Sequence, residues 1–405
     1  MNNKLISYPS ECQQQEQRIS YPSECQRQER RIPYPSECQQ QEQRIPYPSE
    51  CQRQERRIPY PSECQRQERR IPYPSECQRQ ERRIRIGYAC INTDLRDYNV
   101  FTSRGLILKT AETKGIDYIK QLAIANVDDL FKMLIYNEAH GIRFFRISSC
   151  IFPHLDNPKL ELGNYDIEFV KDKLKIIGDY AKAHGHRITM HPGQFVQLGS
   201  PRQDVVKQSF TDLANHANLL KMMNLKPSDG SVLIIHGGGT FGDKRATLER
   251  WRTNFMAMPA DIREYIVLEN DEYGYGINDL LPFCESLNIP FCLDIFHNRV
   301  SNDRIPITKR LVRRIFKTWN RRSIIPKIHV SEQQQNLRKG AHSKTLDKLP
   351  LYVLRIPFMF KTQLDIMLEV KDKEVSVFKM YYRYFNIEMD KKGRVDYALK
   401  EQYLR

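Results

Sequence analysis

Along most of the chain, short apolar runs recur, and each stops at a polar or ionisable residue. Ile84 to Tyr88 leads to Asn92, Ile142 to Ile147 to Ser148, Ile188 to Met190 to His191, and Val232 to Ile235 to His236. The pattern continues with Tyr265 to Leu268 before Glu269, Phe291 to Leu293 before Asp294, Ile325 to Ile328 before His329, and Ile366 to Leu368 before Glu369. These eight runs read as strands, and the segments between them, such as Val170 to His184, Asp204 to Met223 and Ile277 to Leu287, are long enough for helices. Strands alternating with helices predict parallel βαβ units, and eight such units close into a (β/α)8 barrel of the α/β class. The expected organisation is a barrel over residues 84–374 followed by a C-terminal helical extension over 375–405.

In that fold the active site lies at the C-terminal ends of the strands, which is where the polar residues fall. They gather His191, His236, Glu269, Asp294, His297, His329, His342 and Glu369. A single strand-end histidine is commonly a structural residue, but several imidazoles and carboxylates converging on one mouth would repel one another without a cation. A multinuclear metal site is the economical reading. Mixed His and carboxylate ligands with no thiolate suit Mn²⁺ or Zn²⁺ without separating them. Metals that share bridging carboxylates fit phosphodiester chemistry, in which both the attacking and the leaving oxygen need stabilising.

The first 83 residues differ in kind. From Ile6 a 13-residue unit repeats, from ISYPSECQQQEQR to three copies of IPYPSECQRQERR ending at Arg83. A unit with one Ile and one Tyr builds little core, so residues 1–83 are expected to be a mostly disordered low-complexity tail of six repeats, its partner undefined. Six of the ten cysteines are its repeat cysteines, without the paired spacing of a zinc site. Cys90, Cys150, Cys284 and Cys292 lie in apolar contexts and read as reduced core residues.

The chain carries a net charge of +15. The tail holds 15 basic and 12 acidic residues, so an excess of +12 sits on the remainder, which suits a polyanionic partner such as a nucleic acid. No apolar run reaches the roughly 18 residues of a membrane span, and the start Met1-Asn2-Asn3-Lys4 leads into polar sequence. An intracellular protein, located wherever its DNA is and acting as a monomer, is expected.

From about Arg85 to Glu374 the chain resembles the UV-damage endonuclease (UvdE) family. The resemblance rests on IRIGYACIN, the FRISS run at Phe145, MHPGQFVQLGSP at Met190, LIIHGGGTFGDK at Leu233 and VLENDE at Val267. Further on come CLDIFHN at Cys292, PKIHVSEQ at Pro326, GAHS at Gly340 and MLEVKDKE at Met367. It implies a xylose-isomerase-like barrel with two or three divalent ions, usually Mn²⁺ with Zn²⁺ or Mg²⁺ as alternatives. It also implies ATP-independent incision immediately 5′ to cyclobutane dimers, (6-4) photoproducts or abasic sites. Glu269 and Glu369 would be bridging carboxylates, with Asp294, His191, His236, His297, His329 and His342 as the other ligands. Lys327 matches a lysine that such proteins can carry carboxylated, and Lys371 and Lys373 stand where basic side chains meet phosphate. Gln194 and Phe195 match a Gln-Tyr pair that probes the duplex and fills the gap left by extruded nucleotides, the phenylalanine here lacking the hydroxyl. Tyr88 and Asn92 match residues near the flipped lesion, with barrel packing as the plainer alternative.

One ligand departs from the family pattern. Where an Ala-Ser-His-Pro context is common, this chain reads His154-Leu155-Asp156-Asn157-Pro158, so the histidine has become Asn157. His154, three residues earlier, is the substitute if the loop is rearranged. His140, His184, His186 and His216 sit in or beside helical segments and read as packing residues. The run Gly237-Gly238-Gly239 lacks phosphate-loop spacing and reads as a place of close backbone approach. Other readings are a general abasic-site endonuclease, a metal-dependent sugar isomerase, or a catalytically weakened DNA-binding barrel.

Overall fold

All eight apolar runs become strands. The computed structural model describes residues 84–390 and 392–403; the repeat tail expected over 1–83 lies outside them. The strands are β1 (Ile84–Ala89), β2 (Phe144–Ile147), β3 (Arg187–Met190), β4 (Leu233–His236), β5 (Ile266–Glu269), β6 (Phe291–Asp294), β7 (Lys327–Val330) and β8 (Leu364–Leu368). They pair in parallel in sequence order, and β8 returns to β1 through five register pairs from Ile84↔Leu364 to Tyr88↔Leu368, which closes the barrel. Closure removes every open edge from the parallel sheet, and the strands are buried almost throughout, as apolar runs without alternation require.

Helices Lys171–Ala183, Gln203–Met222 and Ile277–Leu287 stand where the long intervals predict them. A further one, Leu108–Ala139, was not singled out from the sequence. It breaks at Gly115 (φ 82°) and then buries Ile119, Ala123, Val127, Leu130, Met133, Leu134 and Asn137, the three-and-four spacing of a core-facing stripe.

The C-terminal extension is only partly helical, which corrects the expectation for 375–405. Helix Glu374–Tyr384 is followed by an antiparallel hairpin of β9 (Phe385–Met389) and β10 (Val395–Leu399). The hairpin docks on the barrel: Tyr397 stacks on Tyr381 with ring centroids 3.7 Å apart, its hydroxyl donates to His140 O at 3.0 Å, and Arg143 Nη1 donates to Val395 O at 3.0 Å. These contacts are between residues far apart in the chain, so no local period announces them.

The barrel is polar at its floor as well as its mouth. Asp365, near the start of β8, accepts two hydrogen bonds at 2.7 Å from Arg85 of β1 and one at 2.6 Å from Arg187 of β3. Arg187 also donates to Gly230 O and Ile325 O. The two guanidiniums pull the buried Asp365 carboxyl below its ordinary range, against the effect of burial. No helix among the described residues is long and apolar enough to cross a membrane.

Candidate metal centre and active site

The mouth is built by register. His236 and Glu269, the last residues of β4 and β5, are register partners, as are Asp294 of β6 and His329 of β7. His191 follows β3 directly and Glu369 follows β8. Two groups of candidate ligand atoms result, each within 4.8 Å of one another: His191, His236 and Glu269, and then Glu269, Asp294, His329 and Glu369. Glu269 belongs to both. Its Oε2 is 3.1 Å from His191 Nε2 and 3.9 Å from His236 Nε2, while its Oε1 is 2.6 Å from His329 Nδ1. His329 Nδ1 is also 3.1 Å from Glu369 Oε1.

His297 and His342 extend the arc of imidazoles. Helix Ile295–Val300 starts directly at β6, capped by Asp294, whose Oδ1 accepts from His297 N at 2.6 Å. His297 Nδ1 lies 3.1 Å from Asn270 O, which leaves Nε2 facing Glu272 at 3.6 Å. His342 Nδ1 lies 2.7 Å from the backbone oxygen of Glu369. Ring centroids are 5.0 Å apart for His191 and His236, 5.7 Å for His236 and His297, and 5.7 Å for His297 and His342.

The charges are arranged for a cation. Burial, reinforced by Glu369 and Asp294, pushes the Glu269 carboxyl well above its ordinary value. Burial also holds His236 and His329 well below theirs, and His191 down at about 4, so these imidazoles are neutral donors. Against burial, Arg146, His329 and His342 pull Glu369 well down. His297 rises to about 9 against burial, because Asp294, Glu272 and Glu369 surround it. Among the described residues, buried Asp294 Oδ2, His329 Nε2 and His236 Nδ1 have no hydrogen-bond partner. Orphaned donors and acceptors in a pocket of mutually repelling carboxylates fit divalent ions bound by N and O ligands, with no thiolate in either group.

Other sequence-predicted residues divide. Gln194 and Phe195 stand out in the loop after β3, both exposed. Lys327 is buried inside the barrel, its Nζ 3.4 Å from Thr189 Oγ1, and burial lowers it to about 7. Lys371 is exposed just past Glu369, and Lys373 takes a left-handed backbone (φ 49°) ahead of helix Glu374–Tyr384.

Three expectations are corrected. His154 does not join the cluster: Nε2 pairs with Leu106 O at 2.8 Å and Nδ1 with Asn157 Nδ2 at 3.0 Å, committing both ring nitrogens locally. Tyr88 and Asn92, expected near a flipped lesion, are both fully buried in this structure. Asn92 donates to the Tyr88 hydroxyl at 2.9 Å, and that hydroxyl donates to Asn137 at 2.7 Å. These contacts are those of barrel packing.

The bland readings of the remaining histidines agree with their contacts. His140 and His216 each bond the backbone one turn back through Nδ1, and His184 and His186 flank Glu138. Gly237 lets Tyr275 in, since a Cβ there would lie 2.5 Å from its ring, so the glycine run serves close approach.

Sequence reasoning missed Arg146, Asn270 and Glu272. Arg146 on β2 is ion-paired with Glu369, and Asn270 clamps Asp294 through Nδ2 to its carbonyl at 2.9 Å and Oδ1 from its N–H at 3.0 Å. All three lie inside quoted motifs, but nothing in a motif says which polar residue turns toward the mouth.

Comparison with known proteins agrees with this architecture. The family described as UV-endonuclease UvdE matches residues 84–398. The chain is 62% identical over 319 residues to a protein of Acanthamoeba polyphaga mimivirus carrying the UV-damage endonuclease name, covering 79% of this chain and 97% of that one. It is 38% identical over 317 residues to the UV-damage endonuclease of Schizosaccharomyces pombe, where the match covers 74% of this chain and 50% of the relative. The chain thus spans about half the length of that fungal protein. Among solved structures, SacUVDE aligns with a TM-score of 0.63 at 31% identity, over 73% of this chain and 96% of that one.

Proposed function

With this chain a member of the UV-endonuclease UvdE family, we propose that its barrel mouth cuts damaged duplex DNA immediately 5′ to a cyclobutane dimer or (6-4) photoproduct, and also at abasic sites, leaving 3′-hydroxyl and 5′-phosphate ends. The observation that carries the reading is Glu269, a single buried carboxylate belonging to two ligand groups. Divalent ions, Mn²⁺ first among the candidates, would supply Lewis acidity toward the scissile phosphate and a more acidic water there.

His191 and His236 with Glu269 would hold one ion, and Glu269, Asp294, His329 and Glu369 a second, with His297 and His342 open to a third. The chain's own groups orient these ligands and the substrate. Arg146 holds the Glu369 carboxylate, and Asn270 and Asp294 fix His297 with Nε2 turned toward Glu272. Lys371 and Lys373 would meet backbone phosphate, and Lys327 would contribute from beneath the cluster. Phe195 would stack in the gap opened by extruded nucleotides, beside Gln194.

The test uses purified protein, Mn²⁺ and end-labelled duplexes carrying one cyclobutane dimer, one abasic site or no damage. A single cut directly 5′ to the dimer, abolished by EDTA, is expected. Cutting at the abasic site alone would replace this reading with that of a general abasic-site endonuclease.

A further inference from the structure

The loops after β3 and β4 each begin at a candidate metal-binding imidazole, and each pushes one large aromatic into solvent. Phe195 is 69% exposed and Phe241, five residues after His236, is 46% exposed. Phe241 does so at φ 46°, a left-handed backbone that is an outlier for a bulky side chain, with Gly242 following at φ 82°. Strain of this kind persists only where the surroundings over-determine it, and it concentrates at ligand-binding places.

One side chain joins the two loops. Gln197 Oε1 accepts from Gly239 N at 2.8 Å, and its Nε2 donates to Gln194 O at 2.7 Å, on the peptide that leads into Phe195. The glycines make room for this strap. A Cβ on Gly238 would sit 2.6 Å from Gln197 Oε1, and one on Gly239 would lie 3.2 Å from the Phe241 ring and 3.6 Å from the same Oε1. Behind the ring the loop is closed by Asp243 N to Thr240 O at 3.1 Å, and Asp243 then caps helix Lys244–Ala257. The aromatic is therefore displayed on a braced loop, and burying it in the core would have been the cheaper use of its surface.

We propose that Phe241 is a second DNA-contacting aromatic, stacking on a nucleotide at the damage site, and that Gln197 holds Phe241 and Phe195 as one unit. This rests on the damaged-DNA reading above and adds to it a contact on the β4 side of the mouth. Exposed aromatic faces accept any base, so the contribution is to affinity at a distorted, unstacked site and not to sequence choice.

The experiment compares wild type, Phe241→Ala, Phe241→Trp, Gln197→Ala and the double variant Gln197→Ala/Phe241→Ala. It reads fluorescence anisotropy in EDTA on dimer-containing and undamaged duplexes, and single-turnover nicking in Mn²⁺. Phe241→Ala should weaken binding of the dimer duplex by about 5- to 150-fold, the range base–aromatic stacking spans, and undamaged duplex by much less. In Mn²⁺ the same loss should appear in the enzyme concentration needed for half-maximal nicking, and Phe241→Trp should restore affinity because it restores the stacking face. Gln197→Ala should weaken binding too, and the double variant should lose less than the two single losses combined. Unchanged affinity in Phe241→Ala, an equal loss on both duplexes, failure of tryptophan to rescue, or full additivity in the double variant would overturn the proposal. If wild type neither binds nor cuts the dimer duplex, the underlying reading fails and takes this one with it. If wild type does both and Phe241→Ala matches it, only this one fails.

Discussion

Arg146 and Glu369 form a buried ion pair at the barrel mouth, their side chains 6% and 8% exposed. The guanidinium lies where it compensates a carboxylate that also faces His329 and His342. In a metal-free protein Arg146 and His297 are the positive charges of the mouth, since His191, His236 and His329 are held neutral, and Arg146 is the one paired directly with Glu369.

Arg146→Gln therefore leaves Glu369 as an uncompensated buried charge unless metal is bound. We expect it to lower stability in EDTA by roughly 3–5 kcal/mol. Saturating Mn²⁺ should recover more of that loss than it adds to wild type, because ligand binding to the folded state stabilises it. Thermal unfolding with and without Mn²⁺ checks this, and equal metal-induced shifts in both proteins would contradict it.

Glu269 has the opposite balance. Burial and two neighbouring carboxylates oppose its charge, so Glu269→Gln should stabilise the metal-free barrel by about 1–3 kcal/mol. The same substitution removes the shared ligand and should cost nicking more than the roughly 10- to 100-fold typical of an outer hydrogen-bond partner. Glu369→Gln should lose nicking similarly without the stability gain, because Arg146 loses its partner. Chemical denaturation in EDTA beside nicking assays separates the two variants. A Glu269→Gln protein that is both less stable and fully active would refute the assignment.

His154→Ala should leave metal stoichiometry unchanged, because both ring nitrogens are engaged with Leu106 and Asn157. Its cost should be confined to local stability, about 1–2 kcal/mol for two lost hydrogen bonds. Metal analysis of the purified variant decides this, and one ion fewer per chain would bring His154 back as a ligand.

Acid should destabilise the fold from its floor upward. Asp365 is held below its ordinary carboxyl range despite burial, and Glu138 well below its own by His186, Arg143 and His184. Groups with depressed folded-state values contribute stability that is present above the unfolded carboxyl range of about 4 and lost as pH falls below it. Burial also keeps His186 below its ordinary value, so its protonation in the unfolded chain removes stability as pH drops from about 6.5. Both act in the same direction, so the share of the urea midpoint that these groups supply should fall gently below about 6.5 and steeply below about 4. Asp365→Ala, which takes the carboxylate from buried Arg187 and part-buried Arg85, should cost roughly 3–5 kcal/mol at neutral pH and flatten the acid limb.

What could be read along the chain was what repeats or stops locally. Apolar runs ending at His191, His236, Glu269, Asp294, His329 and Glu369 disclose both the strands and the mouth, because a barrel strand is buried along its length and polar only where it emerges. Burial, partner and orientation belonged to the tertiary structure. Tyr88 and Asn92 stand in a strand-end motif like the ligands, yet Asn137, 49 residues beyond Tyr88, accepts the tyrosine hydroxyl and holds the pair in the core. Arg146 looks like any strand arginine until closure of β8 on β1 brings Glu369, 223 residues away, against it. The β9–β10 hairpin is set by its dock on Tyr381, Arg143 and His140, contacts that no local spacing encodes. A residue's type and its place on a strand are local properties; which charge ends up facing which is decided only when the barrel closes.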